Sequence, residues 1–311
     1  MSQYINLDRI EFVITDVCSG LCKHCSNGEY PNNGNSVNAE AAVKAVDQLA
    51  KKYSIESVMT FGGEPLLFAD TVCEIHNAAR ACNIPRRQLI TNGYFSNDYQ
   101  KIDDVAKLLN ISGVNEIFLS VDAFHQEFIP IEPVMKFAEA LLQHNVPYLR
   151  VHPAWIVNEE HDITYNTETR RLLKLFADKN IKASSGNNIF PSGSALKHLS
   201  EYFAPPEKLD LSVPCGSAPY TSRLDEIDCI SINSNGDVNL CSISIGNIYT
   251  DNILNIVDDY DPYNNPAWRS VLDGGVVELL RYAKTQGVTL DITDCRSACG
   301  VCRKVMAAMK P

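Results

Sequence analysis

The stretch IEFVITDVCSGLCKHC, residues 10–25, decides how the rest of the chain is read. Its opening IEFVIT is rich in β-branched and aromatic residues and predicts a strand. A loop follows in which Cys18, Cys22 and Cys25 fall in the spacing Cys-x-x-x-Cys-x-x-Cys. Thiolates are soft ligands that hold iron–sulfur clusters or zinc. Three of them provide for three of the four irons in a cubane cluster, and the next cysteine, Cys73, lies far downstream. One iron is then left open to take a substrate or cofactor. The competing zinc reading adds His24 to the three thiols. His24 adjoins Cys25, which strains joint coordination, and paired Cys-x-x-Cys knuckles are missing.

Working outward, strand and helix signals alternate. After a loop rich in Asn and Gly, residues 37–53 have helical spacing of Val, Ala and Leu, with Asn38 as N-cap. SVMTFGG (57–63) predicts a strand, followed by a helix through residue 82. RQLITNG (87–93), EIFLSVDA (116–123) and PYLRVHPAWIV (147–157) predict strands followed by helices over 97–110, 131–144 and 166–178. IKASS (181–185) completes six strand–helix units. Such a series implies an α/β fold with a parallel sheet, either a partial (β/α)6 barrel or an open doubly wound sheet. In both, functional groups gather at the carboxyl ends of the strands. Those ends carry Cys18 to Cys25, Gly62-Gly63-Glu64-Pro65, Thr91-Asn92-Gly93 and the segment from Ser120 to His125. Four unusual segments therefore share one rim.

Past residue 200 the pattern changes. Pro205, Pro206 and Pro214 mark a linker, Asn235-Gly236 marks a hairpin turn, and helices are expected over 251–259 and 266–286. The expected division is a barrel over 1–200 and a small cysteine-rich β-hairpin and helix domain over 201–311. No internal repeat appears, although Cys-x-x-x-Cys-x-x-Cys recurs at Cys295, Cys299 and Cys302.

Cys18, Cys22 and Cys25 after a first strand, with GGEP one strand later, resemble the signature of the radical S-adenosylmethionine (SAM) superfamily. The resemblance implies a [4Fe–4S] cluster on the three cysteines, with the amino and carboxylate groups of SAM chelating the open iron. Reductive cleavage of SAM then yields a 5′-deoxyadenosyl radical that abstracts hydrogen. Gly62, Gly63, Glu64 and Pro65 fall where the family holds the methionine amino group. Asn92, Ser120 and Asp122 fall where it contacts ribose and carboxylate, and Arg150 in the fifth strand is expected to pair with the cofactor carboxylate by a bidentate contact. His24 takes the place of an aromatic residue near the adenine. Pro191-Ser192-Gly193 resembles a shape-giving turn, and His125 and His152 stand near the rim as candidate proton donors or as structural histidines.

Gly236-x4-Cys241, with the run from Ile245 to Ile248, resembles the SPASM/twitch extension of radical enzymes that modify peptides and proteins. It implies at least one auxiliary [4Fe–4S] cluster, held by Cys215, Cys229, Cys241 and one of Cys295, Cys299 and Cys302. A second, incompletely ligated cluster and a zinc ribbon are the alternatives. The expected function is oxidative modification of a peptide or protein. Action on a small metabolite is the alternative, and an iron–sulfur electron carrier is the non-enzymatic one. Only 17 residues precede Cys18, so no N-terminal leader-binding domain is expected. A reductase such as flavodoxin or ferredoxin is the expected electron source.

Composition limits the partners. The net charge is −11, which disfavours nucleic acid. No apolar run is long enough for a membrane span, and no basic segment followed by an apolar stretch marks a secretion signal. A cytoplasmic location is expected. Eleven cysteines, an odd number, do not suit a disulfide framework there. Cys73 and Cys82 are read as buried small hydrophobes on one helix.

Overall fold

The computed structural model describes residues 2–26, 28, 34–218, 221–241 and 243–309. Most of the Asn- and Gly-rich loop lies outside the described residues.

Strand β1 (Ile5–Val13) is central. Ile5, Leu7, Ile10 and Phe12 are its buried residues. β2 (Ser57–Phe61), β3 (Arg86–Thr91), β4 (Glu116–Leu119) and β5 (Tyr148–Val151) follow outward in order, each parallel to the one before. Helices α1 (Ala39–Lys52), α2 (Ala69–Ala81) and α3 (Tyr99–Ser112) make the first three crossovers. A one-turn helix α4 (Ala123–Gln126) and then α5 (Ile131–Gln143) make the fourth. α1 shows why these segments coil. Asn38 caps it through Ala41 N–H, and Ala42, Ala45, Val46 and Leu49 form one buried stripe at helical spacing. Ile10, Val58, Leu89 and Leu49 are fully shielded from solvent. Burial of a side chain of this kind contributes roughly 1.5–3 kcal/mol before conformational entropy is subtracted.

The sheet is mostly parallel and has eight strands, consistent with a partial barrel, but two expected strands are shorter than their sequences suggest. β5 stops at Val151 because Pro153 has no N–H for the ladder, and only Ala154–Trp155 (β6) resumes. The sixth strand, expected over 181–185, is reduced to a single bridge between Val151 and Ala183. Gly186 turns the chain (φ +72°) into β7 (Asn187–Asn188), which pairs with β6 after α6 (Thr164–Ala177). A Cβ on Gly186 would lie 2.3 Å from the Pro153 carbonyl oxygen.

The C-terminal hairpin joins the main sheet. After α7 (Ser194–His198), β8 (Ile227–Ile232) pairs with β1 in parallel, β9 (Asp237–Leu240) and β10 (Ile243–Asn247) follow, and the order is β10-β9-β8-β1-β2-β3-β4-β5. Ile227, Ile230, Ile232 and, from α8 (Ile253–Asp258), Ile253, Ile256 and Val257 share the main core. A second, smaller core gathers Leu224 with α9 (Pro266–Thr285) and α10 (Ala298–Ala308). Of the two helical cysteines, Cys73 is buried, whereas Cys82 is only partly so and packs on the core's edge.

Candidate active site

The cysteine loop is fastened down by the GGEP turn. Gly63 N–H donates to Thr15 O (2.8 Å) and Glu64 N–H to Val17 O (2.7 Å), so the turn laces onto the segment leading to Cys18. A Cβ on Gly63 would sit 2.0 Å from Val17 O, and one on Gly62 (φ +138°) 2.7 Å from Thr15 O. The close approach that demands glycine here is to the chain's own backbone. The Glu64 carboxylate is fully buried and accepts from Thr91 Oγ1 (2.6 Å), Asn92 N–H (2.8 Å) and Leu66 N–H (2.9 Å). Burial pushes its carboxyl up to about 7, against the pull of those hydrogen bonds.

Above this floor lies a cavity of about 660 Å³, within the ~300–1,000 Å³ usual for small-molecule sites. Cys18, Cys22, Cys25, Gly62, Gly63, Asn92, Ser120 and Asp122 line it together. The three thiols are unbridged. Burial pushes the Cys18 thiol up to about 11, with further contributions from the charges of Glu64 and Cys25. Cys22 is also raised, by burial, then by Asp122 and by the other two thiols. Cys18 Sγ accepts from Gly20 N–H (3.5 Å) and Asn92 Nδ2 (3.7 Å). Soft donors converging on one space, with N–H groups aimed at a sulfur, suit a thiolate-held cluster.

Asp122 caps α4, accepting from Phe124 N–H and His125 N–H at 3.0 Å each. Its other oxygen meets His125 Nδ1 (2.9 Å) and Ala154 N–H (3.0 Å). Burial alone would raise its carboxyl, but His125 and His24 hold it well below the usual range. His24 packs against Phe124 and His125, and burial lowers its imidazole to about 4. One donor atom each from Cys22, His24 and His125 lie within 4.8 Å of one another, so nitrogen donors also stand beside the thiols. His152 lines the cavity too, and its Nδ1 lies 2.7 Å from Ser184 Oγ.

Not every expected residue reaches this cavity. Glu64 and Pro65 stand behind its wall, and Arg150 lies elsewhere, its guanidinium 4.0 Å over the Tyr148 ring. Other lining residues, Asn187, Asn188 and His198, carry no signal in the sequence, because they follow the sixth strand in a segment without periodicity. The Asp122–His125 pair was legible as Asp-x-x-His spacing, which suits one helical turn. The Pro191-Ser192-Gly193 turn seats against the cysteine loop. Ser194 N–H donates to Cys25 O (2.9 Å) and Ser192 Oγ to Ser26 O (2.9 Å).

Four of the C-terminal thiols share a second cavity of about 520 Å³: Cys215, Cys241, Cys299 and Cys302. Each of Cys215, Cys299 and Cys302 is raised first by burial and then by neighbouring thiols of this set, with Cys302 reaching about 12. The expected ligand Cys229 is elsewhere. It sits in β8 opposite Arg9 of β1, where burial and then the Glu11 charge raise its thiol. Cys295 is buried in the smaller core beside Asp294. Ser26 and Phe190 line both cavities and so form their common wall.

Fold and cavity together define a mostly parallel α/β protein of partial-barrel type with a thiol-lined pocket at its carboxyl rim. Residues 12–185, more than half of the chain, match the family model described as the Radical SAM superfamily. The chain belongs to that superfamily, an enzyme family that works with a [4Fe–4S] cluster and SAM. It is 25% identical over 126 residues to a probable GTP 3′,8-cyclase of Methanocaldococcus jannaschii, covering 40% of this chain and 39% of that one. It is 30% identical over 87 residues to an L-lysine 2,3-aminomutase of Clostridium subterminale, covering 28% of this chain and 21% of that one. The chain thus spans two-fifths or less of the length of these relatives. Its fold resembles that of anSMEcpe with bound AdoMet and the Cp18Cys peptide, with TM-score 0.52 and 13% identity. That likeness covers 91% of this chain and 98% of the other. Among the described residues no helix is long and apolar enough to cross a membrane.

Proposed function

We propose that Cys18, Cys22 and Cys25 hold the [4Fe–4S] cluster and that SAM binds beside them, over Gly62 and Gly63 and against Asn92, Ser120 and Asp122. The observation that carries this is the convergence of three unbridged thiols and the glycine turn on one cavity. A cluster held by these three cysteines would supply the electron for reductive cleavage of SAM and so for hydrogen abstraction from substrate. The chain's part is to fix the cysteine loop through the Gly63 and Glu64 amides and to hold the rim through Asp122. Glu64 and Pro65 act from behind the wall as positioning residues.

Cys215, Cys241, Cys299 and Cys302 form the donor set for one auxiliary [4Fe–4S] cluster. Four thiols leave no open iron, which suits electron transfer better than direct binding of substrate. Residues 1–200 are read as the catalytic barrel and 201–311 as the auxiliary portion, which adds β8 to β10 to the shared sheet. The substrate is read as a peptide or protein that undergoes oxidative modification, supported by the C-terminal thiol set and its SPASM/twitch resemblance. A small metabolite is the second reading, favoured by the names of the partial sequence relatives. Flavodoxin or ferredoxin is the proposed electron donor, and a reducing cytoplasm suits eleven free thiols.

The test is anaerobic incubation of the reconstituted protein with SAM and dithionite. 5′-Deoxyadenosine should form, and should vanish in a Cys18/Cys22/Cys25→Ala triple variant. Equal amounts from both proteins would overturn the assignment. Deuterium transfer into 5′-deoxyadenosine from labelled peptides or from labelled metabolites then separates the two substrate readings.

A further inference from the structure

The amide of Asn92 has only one way to face. Tyr94 N–H donates to Asn92 Oδ1 at 2.8 Å, and only the oxygen of the amide can accept there. Nδ2 is therefore the amide's donor, and it reaches Cys18 Sγ (3.7 Å) and Ser19 Oγ (3.1 Å), a hydroxyl that also lies 3.3 Å from Oδ1. The backbone beneath is fixed as well. Asn92 N–H is bound by Glu64 Oε2 (2.8 Å), and Thr91 Oγ1 donates to Glu64 Oε1 (2.6 Å). Asn92 is 6% exposed and Glu64 wholly enclosed, so little water competes for these bonds. Gly20 N–H also donates to Cys18 Sγ, and it belongs to the cysteine loop itself. The Asn92 bond instead comes from a different strand end, and it is held by the carboxylate of the GGEP turn.

We propose that Asn92 is the donor that sets the reduction potential of the cluster through Cys18, with Glu64 as the positioning residue that aims it. The inference rests on the reading of Cys18 as a cluster ligand. Reduction adds negative charge that the sulfur shares, and an N–H dipole aimed at that sulfur stabilises the reduced form more than the oxidised one. The bond raises the potential, and its loss makes the cluster harder to reduce. Asn92→Asp is the sharpest probe. It keeps the acceptor for Tyr94 N–H and the shape of the side chain, but it replaces the donor facing Cys18 with an anionic oxygen.

The experiment is redox potentiometry followed by electron paramagnetic resonance on reconstituted holoprotein. The first cluster is recognised as the signal that changes when SAM is added. Asn92→Asp should shift its midpoint to a more negative potential. Asn92→Leu, which only removes the donor, should shift it the same way by less. Thr91→Val, which removes a hydrogen bond from Glu64 without changing the charge near Cys18, should produce a smaller negative shift by loosening the carboxylate that holds Asn92. Full iron and sulfide content with unmoved midpoints in both Asn92 variants would overturn the proposal. So would a weakened affinity for SAM with an unmoved midpoint, since Asn92 would then serve the cofactor and not the sulfur. Failure of the underlying assignment looks different: wild-type protein would show no signal that responds to SAM.

Discussion

The substitution Gly63→Ala isolates the claim that the GGEP turn holds the cysteine loop. The added methyl would stand 2.0 Å from Val17 O and 2.5 Å from Val17 C, both backbone atoms that no rotamer change can move aside. Ordinary contact needs more than an additional ångström, so the two segments must part. Parting them breaks the Gly63 N–H bond to Thr15 O and the Glu64 N–H bond to Val17 O. Two such bonds contribute about 1 kcal/mol each, and forced overpacking adds roughly 1–3 kcal/mol. The expected loss is ~3–5 kcal/mol, a large part of the ~5–15 kcal/mol that holds a typical domain folded.

Gly287→Ala is the matched control. Gly287 has φ +77° with nothing within 4 Å of its added methyl, so only the left-handed backbone is penalised, at ~1–2 kcal/mol. Urea unfolding of the metal-free chains gives the two stabilities, and iron content after anaerobic reconstitution reports on the loop. Gly63→Ala should be the less stable and should load less iron at the first site. The reasoning fails if Gly63→Ala unfolds at the same urea concentration as Gly287→Ala and carries the full complement of iron.

Two further outcomes follow from the same geometry. Replacing Cys299 and Cys302 together by Ala should remove about four irons per chain, one cubane's worth. Cys229→Ala and Cys295→Ala should leave the iron count unchanged, because neither thiol lines the second cavity. Loss of iron in Cys229→Ala would refute this division. The buried His76, bonded to Thr60 Oγ1 at 2.9 Å, is pushed down to about 3 by burial and then by Arg87. Its neutral form therefore supports the fold above the ordinary value of 6.5, and that support is lost as pH falls toward 3. Between pH 6.5 and 5 the loss approaches roughly 2 kcal/mol, at ~1.4 kcal/mol per pH unit for one proton. Denaturation curves at the two pH values should show this extra slope in the wild type and not in His76→Gln; equal slopes would remove His76 as the cause.

Much of the barrel was written locally. The stripe of Ala42, Ala45, Val46 and Leu49 and the cap at Asn38 place α1 without reference to any other part of the chain. Glycines after β2 and polar residues after β3 and β4 mark the rim for the same reason, since a strand's end is a local event. The sixth strand failed because β-branched content at Ile181 gives way at once to small and polar residues and to Gly186, whose positive φ ends extension. The pairing of β8 with β1 was not legible, because strand partners lie more than two hundred residues apart and no local pattern names them. Once paired, though, the alternation explains itself: Ile230 and Ile232 enter the main core, while Cys229 and Ser231 take the opposite face.

The misplacement of Cys229 follows from that same alternation. The hairpin register pairs Ser231 with Asn239 and Ile232 with Val238. Carried two residues further, it would set Cys229 against Cys241, and two thiols at matching hairpin ends read naturally as partners on one metal. The chain does not carry it that far. β9 ends at Leu240, which already pairs with Ile243 of β10, so Cys241 lies in the turn between them with a left-handed φ of +57°. A residue in that conformation no longer obeys the strand's two-residue period. Cys241 therefore leaves the face that Cys229 keeps and joins Cys215 and the two thiols of α10. One tight turn, placed directly on a cysteine, separates a thiol that lines the second cavity from a half-buried thiol in the sheet.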